Sequence, residues 1–194
     1  MSKKNTKETV YKLVLGALFL ALGMVLPLLT GQIPQIGKAL LPMHLPVLVC
    51  GLICGWQYGG VVGFVLPFLR FAVFGMPPMP NGIAMAFELA AYGIIVGVVY
   101  RHSRWKCVWS LYRALLVAMV GGRIVWAAAR VVMVGLAKVP FTWEIFLADA
   151  FLGAIPGIIL QLVLIPVLML ALHRTGLVPF PAHQKARKEA KAEQ

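Results

Sequence analysis

The chain has 194 residues, of which 61% are hydrophobic and only 12% charged, with a mean hydropathy of +0.88. Ordinary soluble domains are roughly 45–50% apolar and ~25% charged, and a fold of this size has too few charges to cover so much apolar surface. A soluble enzyme, a disordered chain and a disulfide scaffold are excluded, and the chain reads as an all-α integral membrane protein.

A helix that crosses a hydrocarbon core of ~30 Å needs about 20 apolar residues. Six runs are read as spans: 13–30, 40–56, 58–75, 82–100, 111–135 and 146–172. None alternates apolar and polar residues as a barrel strand would. The first follows a basic start and lacks an A-x-A cleavage pattern, so it is a retained helix and not a signal peptide. Ala17 and Ala21 give it a small-xxx-small face. The second run begins among Pro42, His44 and Pro46, and it carries Cys50 and Cys54 four residues apart, where free thiols are expected. Only Gln57 and its aromatic neighbours separate it from the third, so the two form a tight hairpin. Across that hairpin Gly51, Gly55, Gly59 and Gly63 recur every four residues, a pattern that lets backbones approach closely.

The third, fourth, fifth and sixth runs carry the ionisable residues. Arg70, Glu88, Arg123, Arg130 and Asp149 fall inside spans, where each is costly unless paired or hydrated. On the fourth run Asn81, Met85, Glu88 and Tyr92 share one stripe. On the fifth, Arg123 and Arg130 are two turns apart, with Trp126 and Ala127 between them. The bland alternative is a set of ion pairs that only fix packing, such as Arg130 with Asp149 or Arg70 with Glu88.

Basic residues orient the whole. Lys3, Lys4, Lys7 and Lys12, then Arg101, Arg104, Lys106 and Arg113, then Arg174, Lys185, Arg187, Lys188 and Lys191 lie on one side, against Lys38 and Lys138 on the other. Both termini are therefore expected in the cytoplasm, and every intramembrane charge sits at mid-depth or in the outer half. The net charge of +12 follows from this bias and implies no nucleic acid. Residues 1–175 read as one six-helix transmembrane domain, and 176–194 as a basic cytoplasmic tail.

No P-loop, H-E-x-x-H or G-x-S-x-G motif occurs, so ATP hydrolysis, zinc chemistry and a nucleophile elbow are not expected. No cofactor or metal is expected, and His44 reads as a hydrogen-bonding or gating residue.

Six spans, Ala17-xxx-Ala21, Leu41-Pro42-Met43-His44, the glycine-rich hairpin, Pro67, Arg70 and Gly75-Met76-Pro77-Pro78 together resemble the substrate-binding S component of energy-coupling factor (ECF) vitamin transporters, over about residues 10–175. The resemblance implies a bacterial cytoplasmic-membrane protein that binds a vitamin or precursor from the extracellular side. It also implies docking through Ala17 and Ala21 on a transmembrane T component, with two ATPases supplying energy. The binding loop is then Thr30 to Lys38, with Gln32 and Gln35 as donors and His44 beside it, over a site formed by Arg70, Asn81, Glu88, Tyr92, Arg123, Trp126, Arg130 and Asp149. Three arginines against two acids favour a substrate with an anionic group and a ring or apolar portion. Pantothenate-like carboxylates fit best, flavins are tolerated and cationic thiamin is disfavoured. The competing reading is a self-contained proton-coupled carrier that uses Glu88 or Asp149. It needs two related halves, and residues 13–100 and 111–172 show no such similarity. An intramembrane enzyme needs a nucleophile or paired acids at one depth, and none stands out.

Overall fold

A computed structural model describes residues 3–29, 41–79, 81–103, 108–137 and 155–174. Among these there are six helices and no strand: α1 (Lys3–Leu29), α2 (His44–Cys54), α3 (Trp56–Phe74), α4 (Asn81–His102), α5 (Val108–Ala137) and α6 (Ile155–Arg174). Five are long and apolar enough to cross a membrane. The start of the sixth predicted run, 146–154, lies outside the described residues, as does the tail from 175 onward.

The second predicted run differs from expectation. Its helix has 11 residues, about 16 Å at ~1.5 Å per residue, which is about half a hydrocarbon core. Nearly all of it is buried, from His44 to Cys54, and it lies against α1, α3, α4 and α6. Its apolar content therefore reflects a position inside the protein. The chain still has to return across the bundle here, because α1 and α3 run parallel: Gly16 faces Tyr58 and Gly23 faces Leu66. Helices α2 and α4 run the other way, and α5 is antiparallel to α4.

Gly55 makes the α2–α3 corner. Its φ of 98° suits glycine, and a Cβ there would meet nothing. It thus belongs to the turn and not to the close-packing stripe in which the sequence pattern places it. The other three stripe glycines do face backbone. Gly51 and Gly59 face each other and the Gly93 carbonyl, and Gly63 faces Leu89 of α4. At the other end of α3, Gly75 adopts the left-handed conformation and its N–H donates to the Phe71 carbonyl at 2.8 Å.

The core includes Val47, Leu48, Leu66, Leu89, Val96, Leu115, Ile165 and Met169, all fully buried. Outside it, α1, α5 and α6 expose Leu13, Leu18, Leu116, Val120, Ile124, Ile159 and Val163 among many others. An apolar girdle of this extent needs lipid, since no aqueous monomer leaves such a surface bare.

Candidate functional site

The polar side chains collect at one end of the bundle, where α1, α3 and α5 finish and α2, α4 and α6 begin. At its centre is Glu88 of α4, 2% exposed. Its Oε1 is 3.2 Å from Nη1 of Arg123 on α5 and 3.7 Å from Nε2 of His44 on α2. The first distance is an ion pair; the second is too long for a hydrogen bond. Tyr92, one turn further along α4, sets its ring edge-on to His44 with centroids 5.1 Å apart, and its hydroxyl lies beside Glu88 and Arg123. The ring has room because position 122 is glycine: a Cβ there would come within 3.0 Å of three ring carbons.

Two turns of α5 present a second layer. The Arg123 guanidinium carbon is 5.9 Å from the Trp126 ring centroid, and that of Arg130 is 5.7 Å from the same ring. One indole thus serves two cations, an arrangement strengthened by desolvation. Trp126 is buried with Ala84 of α4, so the small residue on α4 admits the indole between the two helices. Several polar atoms of the cluster are buried without a hydrogen-bond partner: Nε and Nη2 of Arg123, Nε of Arg130, and both ring nitrogens of His44. Buried polar groups are normally satisfied, so this concentration of orphaned polar atoms sets the cluster apart from the rest of the described core.

Arg70 is elsewhere. It is 4% exposed, its Nη1 donates to the Met24 carbonyl of α1 at 2.7 Å, and its guanidinium lies 5.2 Å from the Phe74 ring. Pro27 lies three residues beyond the acceptor and removes the N–H that would bond the adjacent Gly23 carbonyl. The suggested pairing of Arg70 with Glu88 is therefore not formed; Glu88 pairs with Arg123 instead. Asn81 stands at the start of α4, with Nδ2 3.8 Å from the Met85 sulfur, a weak contact. Gln32, Gln35 and Asp149 lie outside the described residues. Ala17 and Ala21 are exposed on the outer face of α1, in line with exposed Val10, Val14, Val25 and Leu28, while Gly16, Phe19, Gly23 and Pro27 face inward.

Sequence reasoning missed Gln161. It is 2% exposed on α6, and its Nε2 reaches the Leu41 carbonyl at 3.4 Å. The same carbonyl accepts the His44 N–H at 3.0 Å. Leu41 has φ 49°, a conformation that costs a leucine of order 1 kcal/mol or more and recurs at functional sites. Gln161 thus braces the strained turn that delivers His44. The lone side-chain amide in an apolar run was the available signal; nothing in the sequence marks Leu41.

A family model described as "ECF transporter, substrate-specific component" matches residues 11–178. Comparisons with curated proteins and with solved structures gave no match. A multi-pass helical chain with a buried polar cluster at one end, matched over most of its length, belongs to the substrate-specific components of ECF transporters, which are transport subunits and not enzymes.

Proposed function

We propose that this S component binds a vitamin or vitamin precursor carrying an anionic group, at the end of the bundle that holds Glu88, Arg123, Trp126 and Arg130. The observation behind the reading is the pair of arginines sharing one indole, with three guanidinium nitrogens buried and unpartnered. An anion accepts from a guanidinium through two parallel bonds, and the indole supplies a flat wall for a ring. Pantothenate-like carboxylates suit such a site, flavins are tolerated and cationic thiamin is disfavoured. Mass spectrometry of the compound that co-purifies with the protein tests the class directly; a cationic ligand overturns it. With that ligand, Arg130→Gln should raise the Kd about ten- to a hundredfold, the equivalent of ~1.5–3 kcal/mol for a buried charged hydrogen bond. A change within about twofold removes the arginine from the site.

The substrate enters from the extracellular side of a bacterial cytoplasmic membrane, and transport needs a T component and two ATPases. Ala17 and Ala21 are the docking face on α1. In liposomes the isolated protein should bind but not accumulate substrate, and accumulation should require the partners and ATP. Ala17→Trp with Ala21→Trp should reduce accumulation more than tenfold, because close helix approach needs small residues, while binding stays within about twofold of the parent. Accumulation driven by a proton gradient alone would favour the carrier reading through Glu88 or Asp149. The orientation has its own test. Cys50 and Cys54 are buried free thiols, so an impermeant thiol reagent reports on Cys107. It should label inside-out vesicles and spare intact cells; labelling of intact cells reverses the topology.

A further inference from the structure

The cationic layer on α5 explains only half of the cluster. On its other side, His44 and Glu88 face each other at 3.7 Å without a hydrogen bond between them, both almost completely buried. Neither His44 nitrogen has a partner, and Glu88 Oε1 makes no hydrogen bond although it is ion-paired to Arg123. These atoms differ chemically from the guanidiniums. Arginine only donates, whereas a carboxylate oxygen only accepts and a neutral imidazole has one donor and one acceptor nitrogen.

The histidine is also held firmly. Its backbone N–H is bonded to the carbonyl of Leu41, Gln161 of α6 braces that carbonyl, and the ring stands edge-on against Tyr92. A leucine in a left-handed conformation persists only where its surroundings impose it. A side chain positioned at this cost, with both nitrogens open and no solvent exposure, is pre-organised for a group that arrives from elsewhere.

We propose that His44 and Glu88 form a second subsite, on the α2 side of Arg123, that takes a hydrogen-bond-donating group of the same anionic substrate: a hydroxyl, an amide N–H or a ureido N–H. The subsite rests on the anion reading of the arginine layer and adds a selection rule to it. A carboxylate bearing such a donor at its far end satisfies both layers. A carboxylate without one leaves the buried His44 imidazole unpartnered and Glu88 with no partner beyond Arg123 and Tyr92, and sites built around a hydrogen bond reject the analogue lacking it far more strongly than they resist a change in apolar bulk.

The test is a thermal-unfolding titration of the purified full chain with five carboxylates and, as a cationic control, thiamin. Biotin and desthiobiotin carry ureido N–H donors and pantothenate carries hydroxyl and amide donors; lipoate and nicotinate have no comparable donor. The half-saturating concentration of the best donor-bearing compound should lie at least tenfold below those of lipoate and nicotinate. In His44→Phe, which keeps a ring against Tyr92 but removes both nitrogens, that preference should shrink to about twofold. Glu88→Gln, if it folds, should reduce it as well, since glutamine accepts without the charge. Arg130→Gln should weaken all five together and leave the ratio unchanged. Lipoate or nicotinate binding as tightly as the donor-bearing compounds overturns the subsite and leaves the anion reading standing, as does an unaltered preference in His44→Phe. Stabilisation by thiamin and by none of the carboxylates overturns both.

Discussion

Glu88→Gln is expected to destabilise the protein by about 3–5 kcal/mol, and the double variant Glu88→Gln with Arg123→Gln by clearly less than the two single changes added together. The reason is asymmetry. Glu88 and Arg123 are 2% and 9% exposed and lie 3.2 Å apart, so each offsets the other's desolvation. Removing one partner strands the other as a buried charge, and that penalty is the large term. Removing both eliminates the stranded charge, leaving only the loss of a pair whose net contribution is small. Guanidinium makes the effect strong here, because arginine does not relieve the strain by losing its proton. Unfolding of the four proteins in detergent without added substrate gives the coupling energy from a double-mutant cycle. Strict additivity would mean that the two side chains do not depend on each other, and the ion pair would have no part in holding α4 to α5.

The residues that meet in the cluster were largely legible from the chain alone, because ionisable groups in apolar runs are conspicuous and helical spacing groups them. Glu88 with Tyr92 and Arg123 with Trp126 and Arg130 follow from the 3.6-residue period. Pairing across helices does not. Arg70 has the same chemistry as Arg123, yet it reaches back to the Met24 carbonyl of α1. No spacing rule predicts which neighbouring helix an arginine faces. The short α2 shows a related limit. Mean apolarity alone does not separate a lipid-facing span from a helix buried on every side, and periodicity is silent when all faces are apolar. What identifies α2 as a core element is its glycine at the corner and the helices that surround it, and the latter are properties of the assembled bundle. Leu41 and Gln161, 120 residues apart, complete the point.

Gly93→Ala is expected to be the most damaging conservative change outside the polar cluster, although it adds one methyl group. The glycine stripe on α2 and α3 suggested close contact, but its counterpart is Gly93-x-x-x-Gly97 on α4, the same small-residue spacing on a third helix. A Cβ at position 93 would run into the backbone carbonyl group of Gly59, and one at Gly59 would meet Gly51 Cα at 2.6 Å. One at Gly97 would meet the Trp56 N at 2.6 Å. These neighbours are main chain, so no rotamer change makes room, and the helices themselves must move apart. Overpacking a well-packed core typically costs about 1–3 kcal/mol; a backbone obstacle should place Gly93→Ala at or above the upper end of that range. Gly55→Ala makes a useful contrast. It has open space around it, and its penalty of about 1 kcal/mol or more would come from φ 98° alone. The consequence for the site is geometric. Glu88 and Tyr92 lie on the same helix, within two turns of Gly93, so displacing α4 from α2 and α3 also pulls Glu88 away from His44. Gly93→Ala should therefore lose ligand binding together with stability, whereas Gly55→Ala should lose stability with affinity kept within about twofold. Equal stability of Gly93→Ala and the parent in thermal unfolding would show that the three helices do not depend on backbone contact at this level.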